Sequence, residues 1–184
     1  MGLDMYLNKK TYVQRWDHQS EEEKFEVTVK LGGEPFKEIK MERVSFVEEQ
    51  VAYWRKANAI HRWFVENVQG GHDDCRDAYV SREQIKELVD TCKQALSLIE
   101  TVEGDCEAGI TYHPNGKVER HRQRGRTVTN VKMLQETLPT QSGFFFGNTA
   151  YDEWYIRQLE DTVEMLESVL QESNTGDFYY SSSW

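Results

Sequence analysis

The chain has 184 residues, 38% of them hydrophobic and 12% aromatic, with a net charge of −10. That length supports one sizeable core and is short for two, and the aromatic share compensates for a modest apolar content, which argues against disorder and predicts a single domain over residues 1–184. The charge disfavours generic binding to nucleic acid or to an anionic membrane, and no run approaches the roughly 20 apolar residues of a membrane span, so a cytoplasmic protein is expected.

Gly2–Leu7 alternates Leu3, Met5 and Leu7 with Asp4 and Tyr6, the period of a strand with its aliphatic face inward. Phe25–Leu31 alternates again and ends at Gly32-Gly33, which predicts a second strand and a turn. Ser45–Val68 reads as the strongest helix, because Ser45 with Glu48 forms a capping-box pattern and Gly70-Gly71 ends it. Ser81 with Gln84 repeats the capping box and starts a second helix that runs through about Ile99.

Ile110–Arg120 reads as a hairpin turned by Pro114-Asn115-Gly116, its return strand continuing to Arg126. A short helix is predicted over Asn130–Leu138, stopping before Pro139. The last helix, Thr149–Leu170, is expected to be capped by Asn148 or Thr149 and to carry Trp154, Leu159, Val163, Leu166 and Leu170 on one side. Asp177–Tyr180 offers a C-terminal strand, with Trp184 tucked against the body. The order β-β-α-α-β-β-α-α-β predicts an α+β fold, about four helices packed on a small, mostly antiparallel sheet.

Four groups of residues carry the candidate chemistry. On the first predicted helix, Val47, Val51, Trp54, Asn58, His61, Val65 and Val68 form one stripe that contains two polar side chains, flanked by Arg55 and Arg62. Asn58 and His61 either bond to loop backbone and fix the fold, or floor a pocket with Trp54 that Arg55 and Arg62 line. Arg120, Arg122, Arg124 and Arg126 are spaced by two, so an extended arm would project a comb of guanidiniums suited to phosphate or carboxylate, unless Gly125 bends it or it is merely solvated.

The segment Leu138–Tyr155 holds Gln141, Ser142 and three consecutive phenylalanines, Phe144 to Phe146, ahead of Tyr151. At least one of those phenylalanines is expected to anchor in the core, because three adjacent aromatics cannot all face water cheaply. The alternative is a recognition loop that stacks a ring such as Phe144 on a base and bonds its edge through Gln141. The fourth group, Gly70-Gly-His-Asp-Asp-Cys75, reads as turn and cap chemistry rather than a metal loop.

Cys75, Cys92 and Cys106 lack metal or redox spacing and are expected to be reduced thiols. No Gly-x-Ser-x-Gly, P-loop or dinucleotide fingerprint occurs, so no cofactor and no metal are predicted.

The stretches MGLDMYL, AYWRKANAIHRWFVENVQ, DDC before AYVSREQ, LPTQSGFFFG with YDEWY, and the closing FYYSSSW together resemble a family of small proteins common in tailed-phage and prophage genomes. The resemblance spans nearly the whole chain and carries over no activity. It implies a phage accessory protein in the bacterial host cytoplasm and, by analogy, a role in countering host defence. The expected function is capture of an anionic, nucleotide-like small molecule without converting it, using Trp54, Arg55, Asn58, His61, Arg122, Arg124, Gln141, Ser142, Phe144 and Tyr151. Two alternatives stand beside it: an acidic protein-interaction inhibitor of a host defence protein, and a small nucleotide hydrolase with His61 as general acid or base, oriented by Asp4 or Asp152. Whether the chain works alone or as a homo-oligomer is open at this level.

Overall fold

A computed structural model describes residues 2–173 and 175–184 and, for Tyr112, the main chain. Strand β1, Asp4–Tyr12, buries Met5 and Leu7 on one side, as the alternation predicts, and extends five residues beyond Leu7, with Lys9 buried on the same side. It pairs antiparallel with β4, Phe46–Arg55, on one side and with β8, Asp177–Ser183, on the other. Strand β5, Ala78–Val80, joins the far side of β8, giving a four-stranded antiparallel sheet in the order β4-β1-β8-β5. The helices α1, Asn58–Asn67, α2, Arg82–Leu98, and α4, Glu153–Gln171, share one core with this sheet. Together with the short helix α3, Val131–Thr137, they make the fold α+β. No helix among the described residues is long and apolar enough to cross a membrane.

Ser45–Val68 is not one helix. Residues 46–55 form β4, and the helix occupies only 58–67. Phe46, Val47, Val51, Tyr53 and Trp54 are β-branched or aromatic, and nine register pairs with β1 outweigh a helical stripe that Val47, Val51 and Trp54 imitate. The burial alternates here, with Ala52 and Trp54 inward and Tyr53 and Arg55 outward. Lys56 adopts φ +56°, turning the chain from strand to helix, and its N–H donates to the Leu3 carbonyl at 2.7 Å.

Two further boundaries differ. Of Phe25–Leu31, only Lys30–Leu31 is strand, the hairpin strand β2 paired with β3, Glu34–Pro35. The last helix begins at Glu153 and is capped by Asp152, whose carboxylate accepts the Trp154 N–H at 3.0 Å, so neither Asn148 nor Thr149 caps it. Its buried side is Tyr155, Ile156, Leu159, Thr162, Leu166 and Val169, while Trp154 is 48% exposed.

Other expectations match closely. Ser81 caps α2 with the predicted reciprocal bonds, Gln84 N–H to Ser81 Oγ at 3.1 Å and Ser81 N–H to Gln84 Oε1 at 2.9 Å. The hairpin is longer than predicted, β6 over Thr101–Tyr112 and β7 over Val118–Val128, and stands as its own two-stranded ribbon. Its base is clamped to α4. A Cβ on Gly125 would lie 3.1 Å from Glu153 Cβ and 3.2 Å from Cys106 Sγ, so glycine serves a close approach rather than a bend. All three cysteines are free thiols, Cys75 exposed and the other two buried.

Gly176, just before β8, has φ +88°, and an added Cβ would meet Thr11 Oγ1 at 2.8 Å and the Lys10 carbonyl oxygen at 2.9 Å. Gly71 has φ +82° with open space around it. Gly71→Ala should therefore cost about 1 kcal/mol from backbone strain alone, and Gly176→Ala at least about 2 kcal/mol because the start of β8 must also move. Urea midpoints of the two variants check the difference.

Candidate functional site

His61 lies on α1 with no exposed surface, and both ring nitrogens are engaged. Nε2 is 3.0 Å from Asp73 Oδ2 and Nδ1 is 2.7 Å from the Tyr180 hydroxyl. An ionised carboxylate only accepts, so Nε2 carries the proton and Nδ1 accepts the Tyr180 O–H. Asp73 Oδ1 accepts the indole N–H of Trp184 at 3.0 Å, and the Phe146 ring sits edge-on to both His61 and Trp184. The predicted tuck of Trp184 is thus built, and the carboxylate at His61 is Asp73, not Asp4 or Asp152. Burial pushes the His61 pKa down, against an opposing pull from Asp73.

Asn58, also buried, gives its amide hydrogens to the carbonyls of Phe146 at 3.0 Å and Asn148 at 2.8 Å and accepts the Gln141 N–H at 3.1 Å. Tyr151 is buried and its hydroxyl accepts the Thr140 N–H at 3.1 Å. The Leu3 N–H donates to the Phe145 carbonyl at 3.1 Å. Phe146 is the core anchor of the three phenylalanines, Phe144 is 93% exposed at the tip, and Ser142 is exposed beside it.

Trp54 is buried, its indole N–H donating to Thr162 Oγ1 at 2.9 Å. Arg55 lies outside, paired with Asp4 at 3.1 Å. The pocket expected from Trp54, Arg55, Asn58 and His61 does not form, because 54 and 55 are strand and their side chains leave on opposite faces. The arginines of β7 do share one face, but Arg120 pairs with Glu107 at 2.8 Å and Arg124 lies 3.8 Å from Glu103. Arg126 grips Glu153 in a two-pronged bond, at 2.8 and 3.1 Å, that holds the Glu153 carboxyl down to about 2. Arg122 stands exposed opposite Glu107 in the register.

What the sequence does not reveal is on the other side of the sheet. Tyr6 of β1, Tyr53 of β4, Tyr179 of β8 and Tyr79 of β5 share the face turned away from the helices, with Tyr6 and Tyr53 5.5 Å apart and Tyr79 and Tyr179 6.0 Å apart. Lys10 reaches over the Tyr179 ring at 4.8 Å and pairs with Asp77 at 2.9 Å, and that bond raises its pKa. Where this face ends, a cleft of about 530 Å³ opens between β1, β5, β8 and the start of α2, walled by Lys10, Tyr12, Phe25, Tyr79, Arg82 and Phe178.

Arg82 is held from behind, one guanidinium nitrogen donating to the Leu170 carbonyl at 2.5 Å. The other terminal nitrogen is buried and has no acceptor among the described residues. Glu83 and Asp177 also line the cleft, so with Lys10 engaged by Asp77 the site suits a singly charged anion better than a polyanion. The period-2 outward positions of β1 carry this signal, but assigning them requires knowing which strands flank it.

Among the described residues no group of three or more His, Cys, Asp or Glu is placed to hold a metal ion. No family model, no curated protein and no solved structure matches the chain.

Asn58→Ala leaves the buried Phe146 carbonyl and the half-buried Asn148 carbonyl and Gln141 N–H without their partner and should cost about 2–4 kcal/mol, counting on the order of 1–3 kcal/mol per orphaned group with partial relaxation. Urea unfolding reads it. His61 supplies a pH test. Its folded-state pKa lies below the ordinary 6.5, so the unfolded chain binds the proton first, and this group's contribution to stability is lost as pH falls below 6.5. His61→Gln should flatten that slope when unfolding midpoints are compared just above and one unit below this value.

Proposed function

We propose that the chain is a binding protein that captures a small, singly charged anion bearing a planar aromatic group, such as a base-bearing phosphodiester, and releases it unchanged. The observation that supports this reading is the cleft, which joins an aromatic wall of Tyr12, Phe25 and Tyr79 to the cationic side chains of Lys10 and Arg82. Guanidinium forks pair with phosphate and carboxylate oxygens, and tyrosine faces stack on bases whatever their sequence. The volume of about 530 Å³ lies in the usual range for small-molecule sites. Capture without chemistry fits His61, which has no exposed surface and spends both ring nitrogens on Asp73 and Tyr180. The phage resemblance would place such capture in the removal of a nucleotide signal used by host defence.

The test is a thermal-shift panel of cyclic mononucleotides, cyclic dinucleotides and aryl carboxylates, with mass spectrometry of each mixture after incubation. A stabilising compound recovered at its original mass is expected. Arg82→Gln should weaken it at least about tenfold, the scale of one charge-assisted hydrogen bond, and Tyr79→Ala by a similar factor through lost stacking. Binding that survives Arg82→Gln unaltered overturns the assignment of the cleft, and a changed ligand mass overturns capture.

A further inference from the structure

Two further surface features remain, the second of which borders the cleft through Phe25. The first is the aromatic tip of residues 143–147, which the fold holds in place. Asn58, the Leu3 N–H and the buried Phe146 fix its base, yet Phe144 is 93% exposed with Phe145 edge-on against it, ring centres 4.7 Å apart. A loop so anchored loses little freedom on docking, which is the condition under which one aromatic ring makes an effective anchor. Exposed Lys56 packs against Gly147 at one side of the loop, while Arg55, beside Gly2, is paired with Asp4.

The second feature is an apolar groove of about 500 Å³ in the long connection between β1 and β4. Val13, Val27, Val29, Phe36 and Met41 form its lining, with Glu26 and Glu42 at its margin. Arg15 also lines it, but its Nε–H donates to the Phe25 carbonyl at 2.6 Å. The side chains Phe25, Leu31 and Ile39 of the same connection are 45%, 69% and 42% exposed, so this arm leaves apolar surface that its own chain does not cover.

The knob and the groove lie at opposite ends of β1. Leu3, next to the start of the strand, bonds to the knob, and Val13, next to its end, lines the groove. Ten residues of strand separate them by about 30 Å. One chain cannot fill its own groove. A second copy can, because the exposed ring meets an apolar groove and the Lys56 side of the knob meets the Glu26 and Glu42 margin.

We infer that the protein associates head to tail with copies of itself, the Phe144 knob of one copy seated in the groove between β1 and β4 of the next. Such a contact is heterologous, so it closes into a ring or continues as a chain rather than stopping at a two-fold dimer. Because the knob is small, the association is weak and depends on concentration. The groove shares Phe25 with the cleft, so ligand-induced thermal shifts are read on Phe144→Asp, whose substitution lies away from both.

Sedimentation velocity and light scattering from low micromolar to several hundred micromolar protein test it. Wild-type protein should gain mean mass with concentration. Phe144→Asp and, on the other side, Val27→Asp or Met41→Asp should each remain monomeric, with thermal unfolding confirming that each is folded. An equimolar mixture of Phe144→Asp, which keeps its groove, and Val27→Asp, which keeps its knob, should form a one-to-one dimer and nothing larger. A wild-type protein that is monomeric throughout overturns the inference. So does a folded groove variant that assembles like wild type, since Phe144 then meets some other surface, and so does a mixture of folded variants that stays monomeric.

Discussion

The sheet depends on its last strand. β8 comes from the C-terminal residues, yet it lies between β1 and β5, so neither neighbour is fully paired until the end of the chain has arrived. Tyr180 of β8 stacks on Phe64 of α1 with ring centres 3.9 Å apart and planes within 7°. Its hydroxyl then starts a line of hydrogen bonds through His61 and Asp73 to the indole of Trp184. Each member is satisfied by the next, and leaving the buried His61 or Tyr180 unpaired would cost about 1–3 kcal/mol of a domain's small net stability. The pairing of β1 with β4 and β8 spans long stretches of sequence, which makes the chain ends and the middle interdependent in folding.

That dependence restricts where function can lie. A histidine between a carboxylate and a hydroxyl has the composition of a catalytic relay, but here the imidazole and the Tyr180 hydroxyl are fully buried and join α1 to β8. Asn58 does the same for the 138–152 loop, and Trp54 does it for α4 through Thr162. With Asn58, His61 and Trp54 committed to architecture, binding falls to what the scaffold leaves outside: the tyrosine face of the sheet, the cleft with Arg82, and the exposed tip at Phe144.

Much of the fold was legible in the sequence because its signals are local. The alternation of Leu3, Met5 and Leu7, the Ser81/Gln84 cap, the Pro114-Asn115-Gly116 turn and the stop at Pro139 each involve a few adjacent residues, and each is built as read. Residues 46–55 misled because Val47, Val51, Trp54 and Asn58 fall at helical intervals while their conformation is decided by β1, more than 30 residues away. Competition between a local period and a distant partner strand is not visible in one stretch of chain.

The candidate site was less legible for the same reason. Asn58, His61 and the 138–155 segment were recognised as special, and the structure does bring them together, as a brace for the loop. The carboxylate at His61 comes from the Gly70–Cys75 turn, and nothing in its spacing announces that. The cleft draws on β1, β5, β8, the start of α2 and the connection after β1, so its residues become neighbours only once the sheet order is known.

The most direct check on this account is native-state amide hydrogen exchange across the sheet. If β8 is the strand on which the sheet depends, the amides of Phe178–Ser182 should exchange as slowly as those of Met5–Leu7, both through global unfolding only. Exchange in β8 well before β1, through a local opening that leaves α1 protected, would contradict it.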